Sequence, residues 1–156
     1  AQGIDQVVAE VAKTKPLLGI CVGLQAMMTR SEENGGVECL DMFSGQVRYF
    51  GDNLLGDEIL DGTSDRLKVP HMGWNQVKQE KTHPLWEGIE DGSRFYFVHS
   101  YYVKPELDSD IAGTTDYVCR YTSAVARDNL FATQFHPEKS QHDGLRLLKN
   151  FLNWQV

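Results

Sequence analysis

Apolar and polar positions follow two periods along this chain of 156 residues, one typical of helices and one typical of strands. Four apolar residues recur at helical spacing between residues 4 and 11, which predicts an amphipathic helix over residues 2–13. A short uncharged apolar run then predicts a strand at residues 16–20, and apolar residues from Leu24 predict a helix over residues 24–30. The chain therefore begins as helix, strand and helix.

Strand-like alternation dominates the middle of the chain. The pattern predicts strands or extended segments at residues 46–50, 67–79, 95–102, 111–115, 124–127 and 130–134, with a hairpin turn at 128–129. Residues 37–43 suggest a short helical or irregular segment, and residues 51–65 a polar loop with no assigned chemistry. Strands mixed with helices indicate an α/β domain.

The last segment reads as a helix. Ser140, followed three residues later by Asp143, resembles a capping box at its start. Four apolar residues are expected to share one face of this helix. They are Leu145, Leu148, Phe151 and Leu152.

Composition narrows the class of protein. The content of 41% hydrophobic and 24% charged residues is ordinary for one globular domain spanning residues 1–156. A formal net charge of −7, without any Lys/Arg-rich run, argues against nucleic acid as the main partner. No apolar stretch is long enough to span a membrane, and no signal-like segment opens the chain. Three cysteines without CxxC spacing suggest neither disulfides nor a zinc site, which fits a cytoplasmic protein.

The clearest candidate chemistry is a cysteine between two glycines, Gly19-x-Cys21-x-Gly23. This spacing has the form of a nucleophile elbow, a sharp turn between strand and helix. Glycines are expected on both sides because the turn brings backbone segments close together. The nearby helix N-terminus is expected to lower the pKa of the thiol below about 8.5. The alternative is that Cys21 is a small buried apolar residue.

A second stretch, residues 131–139 (FATQFHPEK), supplies a candidate base. In an extended segment, His136 and Glu138 would point the same way, so that the carboxylate could orient the imidazole. The imidazole could then take the proton of a thiol and return it to a leaving amine. A surface histidine in a polar turn is the alternative for His136 alone.

Together, GICVGLQ at residues 19–25 and QFHPE at residues 134–138 resemble the class I glutamine amidotransferases. Two further stretches, VPHMGWN at 69–75 and FYFVHSYY at 95–102, are similar to the glutaminase subunits of imidazole glycerol phosphate synthases. The resemblance covers essentially the whole chain. It implies a three-layer α/β fold, with a mixed central sheet flanked by helices, and a catalytic triad of Cys21, His136 and Glu138.

The resemblance also assigns binding roles. It implies that glutamine contacts the side chain of Gln25 and the backbone of Ser100 and Tyr101, while the Val22 N–H stabilises an oxyanion. It further implies a surface for the synthase partner, although an aromatic and a methionine beside a proline could simply be core. The implied surface residues are Glu33, Pro70, His71, Met72, Trp74, Tyr96 and Lys139.

The implied reaction is hydrolysis of glutamine to glutamate and ammonia, without metal or organic cofactor, and transfer of the ammonia to a (β/α)8-barrel cyclase in histidine biosynthesis. In the family, further strand and helix units with an oxyanion-hole loop precede the first helix, so we expect this domain to be N-terminally incomplete. Three alternatives remain open: the glutaminase of another amidotransferase, a catalytically inactive docking module, and a cysteine hydrolase of another substrate.

Overall fold

The computed structural model describes residues 3–53 and 68–156. The α-helices of this part of the chain are α1 (Ile4–Val11), α2 (Val22–Ala26) and α3 (Gln141–Leu152). The strands are β1 (Leu17–Ile20), β2 (Met28–Ser31), β3 (Val37–Glu38), β4 (Phe43–Tyr49), β5 (His71–Gln76), β6 (Lys78–Gln79), β7 (Arg94–His99), β8 (Tyr101–Pro105), β9 (Ile111–Asp116), β10 (Arg120–Arg127) and β11 (Leu130–Thr133). Short 3-10 helices lie at Glu33–Gly35, Phe50–Asn53, Pro84–Trp86, Asp108–Asp110 and Pro137–Lys139.

Most strands join one mixed sheet in the order β1-β11-β10-β8-β4-β2-β3, with β9 beside β10 and β6 beside β9. The pairs β1–β11 and β2–β4 are parallel, whereas the other pairs are antiparallel. Strands β5 and β7 form a separate antiparallel ribbon. The predicted hairpin between β10 and β11 is confirmed, and Asp128 adopts a φ of 52° in its turn.

Both faces of the main sheet are covered by buried clusters. Neighbouring residues of a strand point to opposite sides of the sheet and therefore belong to different clusters. On β11, Phe131 belongs to one buried cluster together with Trp86 and Leu147, while Ala132 belongs to a second cluster together with Leu24. Helix α2 therefore packs on one face, and α3 packs on the other. The α/β architecture with a mixed central sheet is confirmed.

The helix predicted at residues 24–30 is wrong in its second half. Helix α2 ends at Ala26, and Met28 begins β2, which pairs with Phe43 of β4. The local apolar pattern fitted a helix, but pairing with a strand distant in sequence gives the backbone other partners. Residues 37–43 form no helix: β3 pairs with β2 at residues 37–38, and residues 39–42 are irregular, which was the other alternative.

The strand predicted at residues 95–102 is interrupted at Ser100. Strand β7 ends at His99 and belongs to the ribbon, whereas β8 begins at Tyr101 and belongs to the main sheet. The chain therefore passes from one sheet to the other at Ser100, beside the motif cysteine described below.

The final helix is confirmed, but the capping box predicted at its start is wrong. The Ser140 hydroxyl makes no cap, because it donates to the His136 carbonyl at 2.6 Å and accepts from the Tyr96 N–H at 2.9 Å. Leu147 is fully buried, whereas Leu145 and Leu152 are 61% and 82% exposed.

Two sequence predictions extend beyond the described residues. Residues 54–65 of the predicted polar loop and residue 2 of the first helix lie outside them. Within residues 3–53 and 68–156, no helix is long and apolar enough to cross a membrane.

Candidate active site

Cys21 occupies the sharp turn that the sequence predicts. Strand β1 ends at Ile20, α2 begins at Val22, and Cys21 between them has a φ of 52° and a ψ of −106°. A non-glycine residue rarely adopts a positive φ, and such strain is concentrated at functional sites. The Cys21 N–H donates to the Thr133 carbonyl at 2.7 Å, which fixes the turn to the end of β11.

Only one of the two motif glycines is required by a close approach within the described chain. A Cβ on Gly19 would lie 3.0 Å from the Cβ of Ala132 and 3.1 Å from the Met27 sulfur. A Cβ on Gly23 would meet nothing within 4 Å among the described residues. The expected crowding is confirmed for Gly19 and wrong for Gly23.

The Cys21 thiol is half-buried, and this burial raises its pKa above the ordinary value. Hydrogen bonding by the Val22 backbone and the Gln134 side chain acts in the opposite direction. The expected lowering of the pKa is therefore wrong: α2 has only five residues, and desolvation outweighs it. The thiol lies 3.9 Å from the Val98 carbonyl, to which it donates.

His136 and Glu138 form the predicted pair. The Nδ1 atom of His136 lies 2.7 Å from Oε1 of Glu138. Because a carboxylate only accepts hydrogen bonds, the pair assigns the proton of a neutral imidazole to Nδ1 and leaves a lone pair on Nε2. This Nε2 atom is buried and has no hydrogen-bond partner among the described residues. A buried acceptor without a partner is available to take up a proton.

The reason for their proximity differs from the expected one. Strand β11 ends at Thr133, and Glu138 lies in the 3-10 helix Pro137–Lys139 rather than in an extended segment. Strand β7 holds this segment, because the His136 N–H donates to the Tyr96 carbonyl at 2.9 Å. The same strand provides the Val98 carbonyl to the Cys21 thiol. Strand β7 therefore contacts the segments that carry both groups.

The predicted glutamine-binding residues border this turn. Gln25 is 9% exposed, and its Nε2 atom donates to the Tyr101 carbonyl at 3.2 Å. Gln25 Nε2 also lies 3.2 Å from Oε1 of Gln134, whose own Nε2 lies 3.7 Å from the Cys21 sulfur. Ser100 is half-buried beside Tyr101, and its carbonyl accepts from the Phe50 N–H.

This arrangement can be compared with known proteins. The model of the family described as glutamine amidotransferase class-I matches residues 2–154. The imidazole glycerol phosphate synthase subunit HisH of Acinetobacter baylyi is 54% identical to this chain, over 99% of this chain and 70% of the relative. HisH 1 of Pseudomonas aeruginosa is 51% identical, over 97% and 68% respectively.

The chain belongs to the HisH subunits of the class-I glutamine amidotransferases. A solved glutamine amidotransferase from Thermotoga maritima is similar in fold, with a TM-score of 0.59 at 16% identity. The match covers 97% of this chain but only 54% of that structure. Membership of the family supports a glutaminase site at the Cys21 turn.

The Cys21 turn lies beside the ribbon of β5 and β7, which carries most of the predicted surface residues. Met72 and Trp74 of β5 are 62% and 40% exposed. They pair with Val98 and Tyr96 of β7, and the rings of Trp74 and Tyr96 meet with centroids 6.0 Å apart. Every second residue of β5 is therefore exposed, on the outer side of the ribbon.

The other predicted surface residues occupy different positions. Pro70 is exposed just before β5, and Lys139 is exposed directly after Glu138. Glu33 is exposed in the 3-10 helix Glu33–Gly35, on the side of the sheet that carries β2 and β3. The Glu33 N–H donates to the Ser31 hydroxyl of β2.

His71 lies on the inner side of the ribbon, where it is 3% exposed. Its ring stacks on Tyr117 with centroids 3.9 Å apart, and its Nδ1 atom lies 3.1 Å from Nε2 of His99. The Tyr121 hydroxyl lies 3.2 Å from His99 and 3.3 Å from His71. Desolvation lowers the pKa of His71 to about 3 and that of His99 to about 4. His71 therefore belongs to a buried polar cluster and not to the outer surface.

Sequence reasoning missed Gln134, His99 and Tyr121 as residues of this region. Gln134 lies within the stretch FATQFHPEK and is fully buried. The only sequence signal for its role was that a polar residue stands in an apolar run. Its partners lie far away in sequence, so the pattern alone could not identify them. Among the described residues, no group of three or more His, Cys, Asp and Glu side chains could hold a metal ion.

Proposed function

We propose that Cys21, His136 and Glu138 hydrolyse glutamine to glutamate and ammonia, and that the ammonia passes to the cyclase subunit of imidazole glycerol phosphate synthase. The observation that carries this proposal is the His136–Glu138 pair at 2.7 Å, with its unpartnered Nε2, on a segment joined to the strained Cys21 turn. Family membership supports the reaction. The triad assignment rests on the geometry.

In this mechanism, His136 Nε2 takes the proton of the Cys21 thiol while the sulfur attacks the side-chain amide carbon of glutamine. The Val22 N–H stabilises the developing oxyanion, since it is the first amide of α2 and has no partner within that helix. His136 then gives the proton to the departing ammonia, and a thioester remains on Cys21. Water, activated by the same Nε2, releases glutamate and restores the thiol.

Glutamine recognition is assigned to the groups around Ser100, where the chain passes from the ribbon to the main sheet. Gln25 follows the Cys21 turn in α2 and donates to the carbonyl of Tyr101, the neighbour of Ser100, and these residues offer amide and carbonyl groups suited to the amino acid end of the substrate. The Gln25 side chain is fixed by two hydrogen bonds, which limits the entropy lost when a ligand binds.

The cyclase is proposed to dock on the outer side of the ribbon, around Met72, Trp74 and Tyr96. An exposed methionine and tryptophan are typical of the buried centre of protein interfaces. The ribbon reaches the site through the Val98 carbonyl, so ammonia released at Cys21 leaves next to this surface. Pro70, Lys139 and Glu33 extend the proposed contact.

We further infer one amidotransferase domain over residues 1–156, a heterodimer with the cyclase, and a cytoplasmic location. All three cysteines are free in the structure, which fits a reducing compartment.

The test is release of ammonia and glutamate from glutamine, by this chain alone and with the cyclase subunit and its nucleotide substrate. We expect release to rise with the liganded cyclase and to fall at least about a thousandfold in Cys21→Ala. Cys39→Ala, at another partly buried free cysteine, is the matched control and keeps the activity. Release that persists in Cys21→Ala would refute the triad.

A second measurement separates an active site from a docking module. A glutamine-like electrophile should label Cys21 faster than it labels Cys39, and glutamine should slow the labelling. Equal labelling of both cysteines, together with binding to the cyclase, would favour a docking module. Release of ammonia only in the presence of the ammonia-using subunit of a different amidotransferase would favour the alternative that this chain is the glutaminase of that enzyme.

A further inference from the structure

Gln134 is a fully buried side chain that contacts the nucleophile, and the mechanism above does not use it. Its backbone N–H donates to the Ser123 carbonyl at 2.8 Å, which fixes the residue just beyond β11. Its side-chain Nε2 lies 3.7 Å from the Cys21 sulfur. A buried amide is costly unless its polar atoms are paired, so these contacts determine its orientation.

The orientation of the amide follows from a backbone carbonyl. The Tyr101 carbonyl can only accept a hydrogen bond, so Gln25 must direct its NH2 group toward it, at 3.2 Å. The same NH2 group lies 3.2 Å from Gln134, which must therefore present its carbonyl oxygen. The NH2 group of Gln134 is then left to face the sulfur. Two amides in series thus aim a donor at Cys21.

We propose that Gln134 is a positioning residue for the nucleophile, which holds a hydrogen-bond donor on the Cys21 sulfur and thereby favours its ionised form. The inference rests on the proposed function and deepens it. A donor at the sulfur stabilises the thiolate more than the thiol, because charge strengthens the hydrogen bond.

Other groups act on the same sulfur and must stay constant in a test. Burial and the charge of Glu138 raise the pKa of the thiol, while the Val22 amide and the charge of Lys139 lower it. None of these groups touches the Gln134 amide in the structure, since its recorded side-chain partners are Gln25 and Cys21. A change at Gln134 can therefore be separated from them.

The experiment measures the rate at which iodoacetamide alkylates Cys21 as a function of pH, read by mass spectrometry of the Cys21 peptide. Gln134→Met keeps the length of the side chain but removes the donor, and Gln134→Glu replaces the donor with an acceptor. We expect the apparent pKa of Cys21 to rise by about one unit in Gln134→Met and by more in Gln134→Glu. Alkylation at pH 7 then falls roughly tenfold or more.

Ser123→Ala is the matched control, because Ser123 is fully buried beside Gln134 and its hydroxyl has no partner among the described residues. It should leave the pKa of Cys21 unchanged, and the alkylation rate of Cys119 reports any general opening of the fold. If the Gln134 variants fail to fold, Gln25→Met tests the same series of hydrogen bonds. This variant frees the Gln134 amide to rotate and should also raise the pKa of Cys21.

An unchanged pKa of Cys21 in folded Gln134→Met, or an equal shift in Ser123→Ala, would overturn the inference. So would an unchanged pKa in Gln25→Met when the Gln134 variants do not fold. The alkylation assay requires neither glutamine nor the cyclase. A failure of the glutaminase proposal would therefore appear in ammonia release alone, whereas a failure of this inference appears in the thiol titration.

Discussion

The buried His71–His99 pair predicts that the folded chain loses stability in mild acid. Both rings are neutral when buried, since desolvation lowers the pKa of His71 to about 3 and that of His99 to about 4. In the unfolded chain both return to a pKa of about 6.5. The unfolded state therefore binds more protons below pH 6.5, and stability falls as the pH falls toward the folded pKa values.

The size of the effect follows from this difference. Between pH 7 and pH 5, an unfolded histidine takes up nearly one proton while the folded one takes up almost none, which costs about 1.9 kcal/mol per histidine. The pair together loses about 3.8 kcal/mol.

The assay compares urea unfolding at pH 7 and pH 5 for the parent chain and His71→Phe. Phenylalanine keeps the stacking on Tyr117, and His99 keeps its contact with the Tyr121 hydroxyl. Any loss of stability that the substitution causes at both pH values cancels when the free energy of unfolding at pH 5 is subtracted from that at pH 7. We expect His71→Phe to lose about 2 kcal/mol less than the parent on acidification.

His142→Gln is the control, because the His142 side chain is 81% exposed. It should lose as much stability on acidification as the parent chain does. An equal loss in His71→Phe and the parent would refute the reasoning, since it would mean that buried His71 takes up its proton without unfolding.

Two further predictions concern packing and a buried charge. Gly19→Ala, whose Cβ would lie 3.0 Å from the Cβ of Ala132, should lower the free energy of unfolding by about 1–3 kcal/mol, whereas Gly23→Ala should change it by less than about 1 kcal/mol. Equal urea midpoints for the two variants would contradict this. Arg127→Met should cost about 2 kcal/mol, because Asp110 is 1% exposed and loses its ion partner at 3.1 Å. The figure is below that of a fully buried pair, since Arg127 is 37% exposed. Adding Asp110→Asn should recover part of the loss, and no recovery would count against a charge effect.

The turn at Cys21 was predictable because its determinants are local. Glycine spacing and the end of an apolar run predict a sharp turn, and the structure has it at Cys21. The His136–Glu138 contact also spans only two residues. By contrast, Gln25 meets Tyr101 across 76 residues and Cys21 meets Gln134 across 113. Contacts of this range depend on the order of strands in the sheet, which a single sequence pattern does not specify.

Element boundaries failed where a distant partner competed with a local signal. Residues 24–30 have the apolar spacing of a helix. Helix α2 nevertheless ends at Ala26, because Met28 pairs with Phe43 in the sheet. Ser140 has the sequence of a capping residue, but its hydroxyl joins Tyr96 to His136 instead. In the first case the partner strand supplies backbone hydrogen bonds in place of the helix, and in the second the hydroxyl pairs with backbone groups outside α3.

The thiol pKa is the most instructive error, because it changes how the site must work. A long helix would have favoured a thiolate at rest, but α2 has five residues, and burial raises the pKa of Cys21. A thiol with a raised pKa is protonated near neutral pH, so a separate base must remove its proton as the sulfur attacks. In the proposed mechanism that base is His136 Nε2, which has no partner among the described residues, while Glu138 holds Nδ1. The ionisation of Cys21 then depends on the imidazole and on the hydrogen-bond donors at the sulfur, one of which is the Val22 amide at the start of α2.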